Sequence, residues 1–354
     1  NSISVYNDGD GISIEIHEET KLYNPSLIFG ELLTSGNYDK SKDRLTGGLN
    51  GLGAKLAIIF SNEATVETVD HRNKLMFKQT FKENLLKKDK PKIKETTKSP
   101  YTKITCSLDL ARFGFTSITD DIFALFKKRT FEIAALTPPN VNVYFNGDKV
   151  PVKDFEKFCN NFIEDNKVFE KYGERWEICA ALSNHGFTHM AYVNSVHTRL
   201  GGKHVDYIQQ QIVKGLVELA AKKKKTLKPQ FVKDNLFIGI KCLLSSPTYD
   251  SQTKDYMNLP VSKFGSKCEI SDKFIAKLFK DSGIIDKALV LSDAQLDKQL
   301  TKTDGKKLNK VIIKGFMDAP WAGTKKSDQC YLYICEGLSA QTLFTSGKTQ
   351  LINP

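Results

Sequence analysis

Four glycines fall within seven residues, Gly47-Gly48-Leu49-Asn50-Gly51-Leu52-Gly53, and the chain passes from them into Leu56, Ile59 and Phe60 at helical spacing. Such a loop delivers its backbone to a helix N-terminus. Glycines let that backbone approach an anion closely while the free N–H groups of the first turn point at it. Lys55 adds a positive charge inside the same turn. The arrangement suits a polyphosphate. It is not a P-loop, because Gly48 and Gly53 have the required separation but Ala54 stands in the lysine position. It is not a dinucleotide fingerprint either, since no glycine follows Gly53 at the right spacing. A plain connection before a helix remains the competing reading.

Around this loop the pattern alternates between strand and helix periods. Residues 2–6 and then Ile12, Ile14 and Ile16 read as strand, interrupted by Asn7-Asp8-Gly9-Asp10-Gly11. The chain opens in mid-strand, which predicts that further residues of this fold precede Asn1. Residues 65–69, 75–81 and 101–108 read as strands, 87–98 as a lysine- and proline-bearing mobile loop, and 120–135 as an amphipathic helix. Val141 to Phe145 with Asn146-Gly147 reads as a hairpin. Further on, 176–182 and 190–193 read as two strands joined by a hairpin turn at Asn184-His185-Gly186. A helix over 204–221 buries Val205, Ile208, Ile212, Leu216 and Leu219 at steps of three and four. Residues 236–244 and 330–335 read as apolar strands and 272–279 as a helix. Three domains are expected, over 1–152, 153–325 and 326–354. The first is α/β and the second α+β or α/β.

Composition bounds the partners. The 354 residues are 40% hydrophobic and 26% charged, and 52 Lys and Arg against 41 Asp and Glu leave a charge of +11. That excess predicts a polyanion. No apolar run approaches the roughly 18 residues of a membrane-spanning helix, and the N-terminus has no signal-peptide pattern. Seven scattered cysteines, an odd number, fit reduced thiols and not a disulfide framework.

Several residues have the right chemistry for a site. The amide of Asn7 both accepts and donates, so it can read a base edge; an ordinary turn is the bland alternative. Lys222, Lys223, Lys224 and Lys225 end the amphipathic helix, where the dipole favours one or two cations and four suggest phosphate contact. His185 and His189 are four apart but have no acidic or thiol residue at ligand spacing, so they read as exposed or hydrogen-bonded side chains. Cys330 and Cys335 read as buried strand positions.

Taken in order, Asn7-Asp8-Gly9-Asp10-Gly11-Ile12, Leu27-Ile28-Phe29-Gly30, Leu32-Leu33-Thr34-Ser35 with Asn37-Tyr38-Asp39, Thr46-Gly47-Gly48 with Asn50-Gly51 and Gly53-Ala54-Lys55-Leu56 resemble the ATP-binding domain of eukaryotic-type type IIA DNA topoisomerases. The resemblance continues through Val193-Asn194-Ser195, Gly201-Gly202-Lys203-His204-Val205-Asp206-Tyr207, Asp250-Ser251-Gln252-Thr253-Lys254 and Phe264-Gly265-Ser266-Lys267-Cys268, and so covers nearly the whole chain. The divergent loops suggest a protist or large-DNA-virus member.

The resemblance implies a GHKL (Bergerat) ATPase α/β sandwich, a transducer domain of ribosomal-protein-S5-like type, and the start of a TOPRIM domain. It implies ATP and Mg2+ as cofactors, double-stranded DNA as substrate, a homodimer, and no membrane. Location would be the nucleus if cellular, or the host cytoplasm or nucleus if viral. By motif, Asn7 meets the adenine and Ser35, Gly36 and Asn37 line the ribose and phosphate side. Gly48, Leu49, Asn50, Gly51, Leu52, Gly53, Ala54 and Lys55 form the lid. Gln252, Thr253 and Lys254 come from the transducer, with Gln252 and Lys254 catalytic and Lys254 reaching the γ-phosphate, whose developing charge an ammonium stabilises. Lys222 to Lys225 face the transported duplex, and Glu336 binds magnesium for cleavage. The family's general base and its ATP-site magnesium ligand lie before the Asn7 strand. Leu49 departs from the family's usual Arg, and Leu338 from its Asp. Competing readings are another GHKL ATPase, such as a MutL-like repair protein or a chaperone, and a basic DNA clamp whose ATPase has decayed.

Overall fold

A computed structural model describes residues 1–38, 44–163, 166–292, 319, 321–332 and 334. It divides into compact units Asn1–Ile284 and Ile285–Pro354.

The first unit contains two sheets. Strands β1 (Ser2–Asn7), β2 (Ser61–Val69), β3 (Leu75–Lys82), β4 (Lys87–Lys88), β5 (Lys92–Glu95) and β6 (Tyr101–Leu108) form an antiparallel sheet of order β1-β6-β2-β3-β4, with β5 also on β3. Alternation along β2 and β3 sends Ala64, Val66, Phe77 and Phe81 to one face. There they pack with Phe29 of α1 (Asn24–Gly30) and Ile58 of α2 (Leu52–Ile59). The opposite face is polar, with Thr65 against Thr80 and Glu67 paired to Lys78. This is a two-layer α/β sandwich, and α2, which ends the glycine loop, belongs to its helical layer.

Two expectations fail here for one reason: backbone groups take whichever partner is nearest. Residues 12–16 form no strand beyond a single bridge from Ile16 to Tyr23. Their N–H groups bond side chains instead, Ile12 to Thr68 Oγ1 (2.9 Å) and Ile14 to Asp70 Oδ2 (2.9 Å). The lysine-rich stretch 87–98 is partly strand, because the outer edge of β3 accepts it and Ile93 packs against the core.

Helix α3 (Asp120–Leu136), capped by Thr119 Oγ1 on the Ile122 N–H, leads through a hairpin of β7 (Tyr144–Phe145) and β8 (Asp148–Lys149) to α4 (Phe155–Cys159). The hairpin turn Asn146-Gly147 has positive φ at both residues, +51° and +90°, as a two-residue turn requires. The second sheet contains β9 (Val168–Tyr172), β10 (Trp176–Leu182), β11 (Thr188–Val193), β12 (Val196–His197) and β14 (Leu236–Cys242), in the order β12-β11-β14-β10-β9. The expected hairpin between β10 and β11 is absent. β14 lies between them, antiparallel to β10 and parallel to β11. An unbroken apolar run such as Leu236-Phe237-Ile238-Gly239-Ile240 is stable only with a neighbour on both edges and cover on both faces. One face meets α4 and the end of α3 through Phe155, Phe158 and Ala135. α5 (Lys203–Lys222) packs on β14 and carries α6 (Pro229–Asp234) and α7 (Asp272–Asp281) against it. Two glycines, β13 (Gly201–Gly202), pair with β15 (Tyr256–Met257). A Cβ on Gly202 would lie 2.2 Å from Met257 O, so only glycine fits.

In the second unit, residues 285–292 are helical and Ser327–Gln329 form a 3-10 turn. The strand expected over 330–335 is not formed at the described positions 330–332 and 334; Tyr331, Leu332 and Ile334 are exposed and Cys330 is half-buried. An isolated strand has no ladder to stabilise it.

Candidate nucleotide site

The glycine loop ends on α2, whose N-cap is Gly51 with φ +62° and no side-chain cap. Its first-turn N–H groups therefore receive no bond from a capping side chain, the condition under which a helix N-terminus favours an anion. Cβ atoms built on Gly36, Gly48 and Gly53 would meet nothing within 4 Å, so these three border open space.

Side chains from three segments fix the loop. From the residues after α1, Ser35 Oγ donates to Leu49 O (2.6 Å) and Asn37 Nδ2 to Gly48 O (3.1 Å). From within, the Arg44 guanidinium also donates to Gly48 O, and Thr46 Oγ1 stands 3.5 Å from it. From the segment 246–254, Lys254 Nζ donates to Gly47 O (2.9 Å) and Gln252 Oε1 accepts from Asn50 Nδ2 (3.2 Å). That segment is itself held by the β13–β15 pairing and by Asp250 N on Tyr256 O (3.2 Å). Lys254 sits in a turn with φ +62°. Burial, and secondarily the charge of Arg44, holds the Lys254 ammonium below its usual pKa. Gly47 is pressed against the turn between β11 and β12: a Cβ there would lie 2.3 Å from Val196 Cγ2 and 3.1 Å from Asn194 O.

Lys55 is buried, 2% exposed, beneath the loop, with Nζ 2.7 Å from Thr34 Oγ1. Desolvation lowers its pKa and Glu31 opposes that shift. Leu52, Gly53 and Ala54 form the first turn of α2. The Thr253 hydroxyl bonds Ser251 Oγ (2.8 Å) and not the glycine loop. Asn7 ends β1, and its Oδ1 accepts from Gly9 N (3.2 Å). The turn after it is tied down by Thr68 and Asp70. At Gly11, φ +80°, a Cβ would lie 1.9 Å from Val69 O. Burial pushes the Asp70 pKa up, but N–H groups of Ile14, Arg72 and Asn73 outweigh it and hold the group below the usual carboxylate range.

Of the residues the sequence assigns to the site, the structure brings Ser35, Asn37, Gly48 to Lys55, Gln252 and Lys254 into one neighbourhood, with Gly36 beside Ser35 and Asn37, while the side chains of Asn7 and Thr253 bond their own turns. The sequence reading missed Arg44, Thr34, Thr68 and Asp70. Arg44 stands between the segments to which the sequence assigns an element, and Thr68 and Asp70 lie at and just after the end of the strand read over 65–69, where no motif marks them. Lys222 to Lys225 are exposed at the C-terminal end of α5, with Lys223 Nζ 4.6 Å above the Phe279 ring. Glu336, with Leu338, lies outside the described residues. Among the described residues no group of three His, Cys, Asp or Glu is placed to hold a metal. His185 is exposed; His189 stacks on Phe187 and hydrogen-bonds the Thr198 backbone, while its Nε2 is buried without a hydrogen-bond partner.

Comparison with known proteins places this geometry. Residues 143–307 match the family described as DNA gyrase B. DNA topoisomerase 2 of Bombyx mori is 41% identical over 361 residues, covering 98% of this chain but 23% of that protein, so the chain spans about a quarter of its relative. The ATPase region of Saccharomyces cerevisiae topoisomerase II superposes with a TM-score of 0.77 at 38% identity, covering 82% of this chain and 77% of that one. The ATPase and transducer domains of DNA topoisomerase II from Balamuthia mandrillaris give 0.78 at 37%, covering 84% and 77%. The sandwich and the second sheet are therefore the GHKL ATPase and transducer fold, and the chain belongs to the ATPase region of the type II DNA topoisomerase family.

Proposed function

We propose that this chain is the ATP-binding and ATP-hydrolysing N-terminal gate of a type II DNA topoisomerase, a homodimer that closes on ATP to capture a DNA duplex. The observation that carries the reading is the meeting of two motifs some 200 residues apart, Lys254 on Gly47 O at 2.9 Å and Gln252 on Asn50 at 3.2 Å. The donor set fits a triphosphate: an uncapped helix N-terminus, glycines bordering open space, two cations and several hydroxyl and amide groups.

Asn7 holds the adenine edge, and Ser35, Gly36 and Asn37 the ribose and phosphate side. Gly48 to Lys55 cover the phosphates, and Gln252 and Lys254, with Thr253 shaping their turn, approach the terminal one. ATP with Mg2+ supplies the free energy of binding and hydrolysis; this chain's own residues bind, orient and exclude water. Because Lys254 belongs to the transducer-side segment, its bond to a phosphate instead of Gly47 O pulls that segment toward the lid. Lys222 to Lys225 contact duplex phosphates, Glu336 holds Mg2+ in a TOPRIM domain, and the protein works where DNA is stored. The Gln252-Thr253-Lys254 segment favours this over another GHKL ATPase. Light scattering with a non-hydrolysable ATP analogue tests the gate: nucleotide-dependent dimerisation is expected, and a monomer that binds no nucleotide leaves only a passive clamp.

A further inference from the structure

One carbonyl of the glycine loop, Gly48 O, is offered more donors than its two lone pairs can satisfy, and the carbonyl before it takes a lysine. Gly48 O faces the Arg44 guanidinium, Asn37 Nδ2 at 3.1 Å and Thr46 Oγ1 at 3.5 Å, while Gly47 O takes Lys254 Nζ at 2.9 Å. A carbonyl oxygen has two lone pairs, so these side chains have donor capacity to spare. Two of them are cations close enough for Arg44 to depress the Lys254 pKa. No carboxylate among the described residues pairs with either. Neighbouring like charges, partly withdrawn from water, are costly unless an anion joins them.

Arg44 is also well anchored for such a role. Its Nη2 donates to Pro247 O (3.2 Å), and its backbone exchanges bonds with Ser246, Ser246 N on Arg44 O at 2.7 Å and Arg44 N on Ser246 Oγ at 3.3 Å. The guanidinium therefore bridges the glycine loop and the Pro247 segment beside Lys254. Position 49, next to Gly48, carries a leucine that is 42% exposed where the resembling family has arginine, so the loop itself offers no guanidinium there.

We propose that Arg44 is a polyphosphate-binding residue of this site: its guanidinium joins Lys254 at the terminal phosphate and supplies the charge that Leu49 does not. A planar guanidinium can donate to two phosphate oxygens at once, and its place beside Lys254 directs those bonds to the phosphate that Lys254 meets. The proposal rests on the ATP reading above.

The test is equilibrium titration of the full chain with ADP and with a non-hydrolysable ATP analogue, beside thermal unfolding. Arg44→Ala and Arg44→Gln are expected to weaken the analogue about tenfold, the scale of one charge-assisted bond, and ADP less than twofold. Gln can still donate to Pro247 O or Gly48 O, so it remains informative should Ala unfold the loop. Adding Leu49→Arg to either variant is expected to recover most of the analogue affinity. Equal weakening of both nucleotides would reduce Arg44 to a loop clamp, and unchanged binding would remove it from the site. Failure of Leu49→Arg to rescue would overturn the compensation. A wild-type chain that binds neither nucleotide would overturn the ATP reading itself, a result distinct from the others.

Discussion

In the β10–β14 pair, only Glu177, Leu182 and Lys241 escape full burial, and Glu177 and Lys241 meet across the ladder at 2.9 Å. Between residues 44 and 55, only Gly47 and Lys55 are buried. One region is held by apolar area, the other by directional bonds to carbonyls. The distinction matters because burying a large aliphatic side chain contributes about 1.5–3 kcal/mol with no alternative partner outside the core. A hydrogen bond nets about 1 kcal/mol and can be exchanged for one to a ligand. The molecule thus keeps its scaffold fixed and its glycine loop exchangeable.

Cutting into the scaffold is the most severe way to challenge that division. Ile178 is fully buried. Ile178→Ala is expected to cost about 3 kcal/mol in urea unfolding through lost transfer energy and the cavity left behind. Nucleotide affinity measured well below the transition should not move; a parallel loss would mean the sheet and the loop are not separate energetically. Lys254→Ala is the mirror experiment. Removing a charged donor is expected to weaken a triphosphate analogue about 30-fold, roughly 2 kcal/mol, while leaving the unfolding midpoint in place. A shifted midpoint with unchanged affinity would make Lys254 a structural strut.

Acid offers a subtler separation. His204, wholly buried at the start of α5 with Nε2 3.0 Å from Thr198 Oγ1, has its pKa driven from 6.5 to about 3 by burial and secondarily by His189. The unfolded chain therefore binds a proton between these values that the folded chain refuses. Stability is fully present above 6.5 and is lost as pH falls toward 3, by up to about 1.4 kcal/mol per pH unit from this group. His204→Gln should flatten that slope between pH 6 and 4. An unchanged slope would place the acid sensitivity on other groups.

The same contrast explains what the sequence disclosed. The 204–221 helix, the 236–244 strand and the glycine loop were legible because periodicity and glycine density are local signals. The position of β14 between β10 and β11 was not, since the turn Asn184-His185-Gly186 looks like a hairpin until a distant strand competes for the same edge. Arg44 was hidden for a related reason. Its partners, Pro247 O and Ser246, are some 200 residues away, and nothing local distinguishes it from a solvated arginine. Lys55 shows the opposite case: its helix position is legible in the sequence, while its burial against Thr34 depends on the fold.

The smallest effects are expected at Lys222 to Lys225, where neither burial nor a carbonyl network fixes the side chains. If these lysines meet duplex phosphates, removing any one of them should reduce the slope of log affinity against log salt by about 0.9. The four need not be equal. Lys223 lies 4.6 Å above the Phe279 ring, an interaction worth about 0.5–1 kcal/mol at an exposed site, which competes with a phosphate for the same ammonium. Lys223→Ala should therefore lower the melting temperature slightly and alter the salt slope least. Lys222→Ala, Lys224→Ala and Lys225→Ala should leave melting unchanged and each flatten the slope. Filter binding of a duplex across a salt series, with thermal melts of the same single variants, reads both quantities against one wild type. Four variants with an unaltered slope would return the cluster to its electrostatic role at the C-terminus of α5, where a helix end favours cations without any DNA.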